Sequence, residues 1–237
     1  MNNAIIYSVK SGFQHIETEP WMLNPSMTYL NHGSFGARVE SVFKFQAALK
    51  RELEFSPVDF LDRQRSRLEE ARQVVASFLG ADLEGFGFVD NATTGVGCVL
   101  NSITFNSGDE ILTTNLVYNG VRQLLNRIAD DVGCSYRETA IDLPVQSSDE
   151  IYHRITESIK PATKLVVIDH VASSSSLIFP AEEIVQFCKE KGVLVLVDGA
   201  HAPGMLNLDV ESVGADWYVG NLHKWVCAPL GAGFVWA

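Results

Sequence analysis

The four cysteines of this chain, Cys98, Cys134, Cys188 and Cys227, lie far apart and form no CxxC pair. That absence excludes the common zinc frameworks and a dense disulfide scaffold, and leaves reduced thiols in a cytoplasmic protein as the expectation. Positive charge is scarce too: 18 Lys and Arg face 29 Asp and Glu, for a formal net charge of -11. A nucleic acid or an anionic membrane would need a basic face, so neither is an expected partner. A small anion needs only a few local donors and stays open. No apolar run approaches the ~20 residues that span a bilayer. Residues 1–10 lack a basic end followed by a long apolar core, so no secretory signal is read there. Neither GxxxxGK[ST] nor GxGxxG occurs, which sets aside a Walker loop and a dinucleotide fingerprint. Asp169-His170 followed by Ser173-Ser-Ser-Ser176 has no Gly-x-Ser-x-Gly elbow, so a serine-rich turn is expected there.

What is present is ordinary in amount and patterned in order. The chain has 237 residues, 46% hydrophobic, enough for one large domain. Residues 1–36 read as irregular and 39–79 as helical, with Ser56-Pro57 as a cap and first turn. Phe60, Leu61, Leu68, Val75, Phe78 and Leu79 fall on one expected apolar face. Beyond Gly80 short apolar runs alternate with amphipathic ones: strands over 87–89, 110–113, 135–140, 164–171, 193–197, 217–220 and 233–236. Helices are expected over 95–104, 120–129, 150–159 and 181–190. This alternation predicts an α/β fold, a mostly parallel sheet with helices on both faces. Leu165-Val-Val-Ile168 and Val193-Leu-Val-Leu-Val197 suit central strands buried on both sides.

In such sheets ligands collect outside the carboxyl ends of the strands. Four strands end there in polar chemistry, at Asp90-Asn-Ala-Thr-Thr-Gly95, Thr114-Asn-Leu-Val-Tyr118, Asp169-His-Val-Ala-Ser173 and Asp198-Gly-Ala-His201. A helix N-terminus with the hydroxyls of Thr93 and Thr94 suits a phosphate, although a plain threonine cap has the same sequence. Small Gly199 and Ala200 would let a flat ring approach the backbone, with Asp198 at a ring nitrogen and His201 catalytic, bonding a phenolic oxygen or shuttling a proton. Asp198 with His201 lacks further ligands at metal spacing, so no metal is expected. Lys224 lies in Trp217-Tyr-Val-Gly-Asn-Leu-His-Lys-Trp225, an amine among apolar neighbours. Partial removal from water disfavours its charged form and leaves it a nucleophile. A lysine and a carboxylate at opposite ends of a flat cofactor is the arrangement that holds pyridoxal 5'-phosphate as an aldimine.

Asn31-His-Gly-Ser-Phe-Gly36, Asn91-Ala-Thr-Thr-Gly95, Asp198-Gly-Ala-His201 and Asn221-Leu-His-Lys-Trp225 follow one another as in the class V aminotransferase-fold, pyridoxal-phosphate-dependent enzymes. The resemblance is to the isopenicillin N epimerase-like branch, with cysteine desulfurases and desulfhydrases as relatives. It implies that Lys224 carries the cofactor and moves the substrate α-proton, and that Asp198 partners the pyridinium. It places Ala200 against the ring and His201 by the phenolic oxygen. Thr93, Thr94, Asn221 and His223 would grip the phosphate. Tyr118 would stack on the ring, Ser173 would sit near the phenolic oxygen, and Asn31 and His32 would line the substrate mouth. It also implies an amino acid substrate bound as an external aldimine, followed by epimerisation or carbon–sulfur lysis rather than transamination, in a homodimer. Residues 1–36 are then a mouth segment and 37–237 the cofactor-binding large domain, with a smaller C-terminal domain expected beyond it. The alternative is a truncated, non-catalytic module that binds cofactor or a partner chain.

Overall fold

A computed structural model describes residues 20–237. Residues 1–10, where no secretory signal was read, and the early part of the 1–36 segment lie outside the described residues. The strands are β1 (Phe86–Val89), β2 (Glu110–Thr114), β3 (Ser135–Thr139), β4 (Thr163–Asp169), β5 (Leu194–Gly199), β6 (Trp217–Asn221) and β7 (Gly233–Trp236). They form one sheet in the order β1-β7-β6-β5-β4-β2-β3. Neighbours from β3 through β6 are parallel. The expected α/β architecture is found, with one refinement: β7 runs antiparallel to both β6 and β1, so the sheet is mixed at that side. Because β1 is reversed twice over, Val89 ends at the same rim as the carboxyl ends of β4, β5 and β6.

The helices are α1 (Glu40–Phe55), α2 (Pro57–Leu79), α3 (Ala92–Ser102), α4 (Asn119–Val132), α5 (Ser148–Thr156), α6 (Ala181–Glu190) and α7 (Val210–Val213). Strand side chains alternate between two apolar layers. Leu165, Val167, Leu196 and Val219 face α3 and α4 through Val96, Leu100, Val121 and Leu125. Val166, Ile168, Val195, Val197 and Tyr218 face α5, α6 and α7 through Ile151, Ile155, Ile184 and Val210. All these side chains are buried, each contributing about 1.5–3 kcal/mol when an aliphatic chain leaves water. Burial on both faces is why β4 and β5 read as unbroken apolar runs.

Several element limits differ from expectation for local reasons. Residues 39–79 make two helices, because Pro57 cannot continue α1 and instead starts α2. On α2, Leu79 is buried and Val75 packs on the core, but Leu61, Leu68 and Phe78 are exposed; α1 buries none of its residues. α3 begins at Ala92 rather than Gly95, since the Asn91 side chain accepts the Thr94 N–H at 2.8 Å and caps the helix three residues earlier. α7 was not expected, being too short to show a period. Among the described residues no helix is long and apolar enough to cross a membrane.

Candidate active site

Gly233 opens β7 without a Cβ, which would fall 2.7 Å from the Asn91 Cα. The missing atom lets the start of α3 close against β7 and β6. There the Asn221 Oδ1 accepts the Ala92 N–H at 2.8 Å. The Asn91 side chain takes the Thr94 N–H and its carbonyl takes the Gly95 N–H at 3.0 Å. Among the described residues nothing takes the Thr93 N–H, so the first turn of α3 presents it, with the Thr93 hydroxyl, to whatever lies above. The Thr94 hydroxyl is engaged with Asn91 Oδ1 at 3.2 Å. Asn221 thus braces the start of α3 through its Oδ1.

β6 continues into a turn that carries His223, Lys224 and Trp225 before the chain reverses into β7. Leu222 and His223 both donate their N–H to the Ala232 carbonyl, at 2.9 and 3.2 Å, which holds the turn at the strand ends. His223 Nδ1 is bonded to the same carbonyl at 2.9 Å, so a ligand would meet its Nε2. The N-terminal segment is stitched over this turn: Gly36 donates its N–H to the His223 carbonyl at 2.8 Å. A Cβ on Gly36 would fall 2.1 Å from the Lys224 carbonyl oxygen, so no larger residue fits.

Asp198, next to last in β5, is in register with Asp169 at the end of β4. Both carboxyls are buried. Burial and the neighbouring Asp198 charge push Asp169 well above the usual carboxylate range, and among the described residues its Oδ2 has no partner. Burial raises Asp198 as well, but its Oδ1 accepts the Ala200 N–H at 2.9 Å and it feels the Lys224 charge. Of the two, Asp169 is pushed up further, which leaves Asp198 the more acidic. Lys224 is lowered by burial, against the pull of Asp198 and Asp169. His201 is lowered to about 4 by burial and then by the Lys224 charge. Its Nε2 lies 2.9 Å from Lys224 Nζ. The site therefore holds a desolvated amine, a neutral imidazole touching it, and a buried carboxylate.

These groups share a cavity of about 990 Å³. Asn31, Thr93, Thr94, Tyr118, Ser173, Asp198, Ala200, His201, Asn221, His223 and Lys224 all line it. His32 does not: its Nδ1 accepts the Ala37 N–H at 3.2 Å and its ring packs between Trp21, Tyr29 and Trp225, so it fixes the segment beside the mouth. Gly199 is not a floor for a ring either, since its absent Cβ makes room for Tyr218, whose hydroxyl would lie 2.2 Å away. Tyr118, 48% exposed, stands at the start of α4 with its ring reachable from the cavity. The cavity also takes in Asp90, Ser176, Met205 and Trp225, which the sequence reading left out. Ser176 sits at φ 58°, in the left-handed region, in the turn after Ser173. Of these, Trp225 had a signal in the sequence, its adjacency to Lys224.

The donor set fits a flat phosphorylated aldehyde. A helix start with an unpaired N–H suits its phosphate, a buried carboxylate its ring nitrogen, and a desolvated amine its aldehyde.

A family model described as Aminotransferase class-V matches residues 54–237. The chain is 36% identical over 217 residues to isopenicillin N epimerase of Amycolatopsis lactamdurans, covering 90% of this chain and 54% of that protein. It is 31% identical over 237 residues to L-cysteine desulfhydrase of Arabidopsis thaliana, covering 93% and 51%. Among solved structures, the cystine C–S lyase C-DES in complex with its reaction product cysteine persulfide superposes with a TM-score of 0.83 at 27% identity, over 88% of this chain and 56% of that one. The chain thus spans about half the length of the curated relatives it matches.

Proposed function

Because the chain belongs to the class-V aminotransferase family, we propose that it binds pyridoxal 5'-phosphate at the strand rim and acts on an amino acid by removing its α-proton. Epimerase-like or carbon–sulfur lyase chemistry is preferred over transamination, in line with the activities named for the isopenicillin N epimerase and cysteine desulfhydrase relatives. The observation that carries the reading is that Lys224 and Asp198 line one cavity, with the start of α3 on the same rim. When bound, the cofactor supplies an aldehyde that condenses with primary amines and a ring that spreads negative charge from the adjacent carbon.

The chain's own residues then divide the work. The Thr93 N–H and hydroxyl, with Thr94 and His223, hold the phosphate, and Asn221 keeps α3 in position for it. Asp198, buried and the more acidic of the two carboxyls, keeps the ring nitrogen protonated. Tyr118 covers a ring face, and Ser173 and Ala200 border the ring. Lys224 Nζ, whose charged form is disfavoured by desolvation, is the base that takes the α-proton and can return it. Asn31 lines the mouth through which the amino acid enters.

Two copies are proposed to assemble, because α1 and α2 expose Phe43, Phe45, Phe55, Leu61 and Phe78 on the single chain. All four cysteines are unpaired, which supports a reducing compartment, the cytoplasm in this reading.

The test is covalent. Borohydride reduction of the chain mixed with pyridoxal phosphate is expected to leave a phosphopyridoxyl group on the peptide bearing Lys224, and none on that peptide in Lys224→Ala. A group attached to a different lysine, or to none, would overturn the assignment. Deuterium entry at the α-carbon of alanine, against sulfide release from cysteine, then separates epimerase-like from lyase chemistry.

A further inference from the structure

Trp225 Nε1 donates to His201 Nδ1 at 3.2 Å, while His201 Nε2 stands 2.9 Å from Lys224 Nζ. We propose that Trp225 is a positioning residue whose indole N–H holds His201 in the tautomer protonated on Nε2, aimed at the Lys224 amine, and so keeps that amine a hydrogen-bond acceptor. The proposal deepens the reading of Lys224 as the cofactor-bearing base and rests on that reading.

The argument is one of proton count. An indole N–H only donates, so Nδ1 facing it must accept. A neutral imidazole carries one proton, which then has no place but Nε2. From Nε2 it points at Lys224 Nζ, and the bond forms only if the amine offers its lone pair. An ammonium has donors alone and would meet Nε2–H head-on. With Trp225 in place, the neutral ring and a charged Lys224 cannot both keep their bonds. Desolvation alone would lower the lysine without saying which atom receives its lone pair. Trp225 supplies that direction.

The indole is held where this requires. Gly33 lets the N-terminal segment lie on both rings: a Cβ there would fall 2.9 Å from Trp225 Cζ2 and 3.2 Å from His201 Cε1. Gly204, at φ +82°, brings its backbone so close to Trp225 that a Cβ would be 2.9 Å from the Trp225 carbonyl carbon. A phenylalanine would fill much of this space and lack the donor.

The experiment reads the histidine directly. The full chain is labelled with ¹⁵N-histidine, treated with hydroxylamine to free any carbonyl-bound lysine, and the His201 ring is assigned by comparison with His201→Gln. Native protein is expected to show Nε2 protonated and Nδ1 pyridine-like. In Trp225→Phe the preference for Nε2–H is expected to fall about fivefold or more, the scale of one ordinary hydrogen bond. Acylation of Lys224 at neutral pH, followed by mass spectrometry against surface lysines, is expected to slow severalfold in the same variant. Benzothienylalanine in place of Trp225 swaps the N–H for sulfur without changing the ring's shape, and is expected to reproduce both effects should Trp225→Phe disturb the fold. A native His201 protonated on Nδ1, or a tautomer ratio unmoved by the donor's removal, would overturn the proposal. A changed tautomer beside an unchanged Lys224 rate would overturn its link to the lysine. Cofactor takes no part in these readouts, so their failure leaves the borohydride test standing, and the reverse also holds.

Discussion

The Asn221 Oδ1 accepts the backbone N–H of Ala92 at 2.8 Å, joining the end of β6 to the first turn of α3 across the rim of the sheet. That bond holds the lysine-bearing turn and the helix start proposed to bind phosphate at one spacing. Asn221→Ala leaves the Ala92 N–H buried without a partner, a loss of about 1–3 kcal/mol. The expected outcome is a lower Tm in thermal unfolding together with weaker pyridoxal phosphate binding by fluorescence titration. Unchanged cofactor affinity would show that α3 is held by other contacts.

Gly36 touches the same turn from the other side. Its substitution by alanine forces a methyl group to within 2.1 Å of the Lys224 carbonyl oxygen, so the N-terminal segment must lift away from it. Gly36→Ala is expected to cut phosphopyridoxyl incorporation at Lys224 severalfold, and proteolysis within residues 20–36 should speed up. Native behaviour in both assays would mean the segment accommodates the methyl group without leaving the turn.

Asp198→Asn keeps an oxygen for the Ala200 N–H, so the fold is expected to hold. The charge proposed to face the ring nitrogen is removed, and losing one preorganised charge at a reacting centre is worth roughly 10²-fold or more in rate. Deuterium exchange at the substrate α-carbon should fall by that factor while the cofactor still attaches to Lys224. Full exchange in the variant would remove Asp198 from its role.

His170 gives the stability a pH slope. Burial lowers it to about 4, and its Nδ1 is bonded to the Tyr218 hydroxyl at 2.8 Å. Unfolded, it titrates near its ordinary value of 6.5, so between about 6.5 and 4 the unfolded chain binds more protons and stability falls as the pH drops. The contribution is fully present above about 6.5 and amounts to at most about 3 kcal/mol. His170→Gln removes this slope, which urea titrations at pH 7 and pH 4.5 on both proteins would reveal as a smaller loss in the variant. Equal losses would assign the acid sensitivity elsewhere.

Much of the fold was legible because its chemistry is local. β4 and β5 appear as apolar runs since both their faces are covered, and α6 matches its expected limits at both ends. The direction of β7 was not legible, because alternation of side chains is the same for either sense of a strand. On α2 the apolar pattern is real, yet Leu61, Leu68 and Phe78 find no core on the single chain, since a helical period says which residues share a face and not what that face meets. His32 and Gly199 were placed at the ligand by their neighbours in sequence, whereas the packing of Trp21, Tyr29 and Trp225 around one, and of Tyr218 against the other, depends on segments distant in the chain.

Residue identity by itself determined that this protein has an α/β sheet and carries a lysine, an acid, a histidine and paired threonines at the ends of its strands. Only the tertiary structure decided that they surround one space, that burial and its neighbour push Asp169 above Asp198, and that Trp225 reaches across to His201. The reason is physical: the kind of group is set residue by residue, while its protonation and its partner are set by burial and by side chains arriving from other strands.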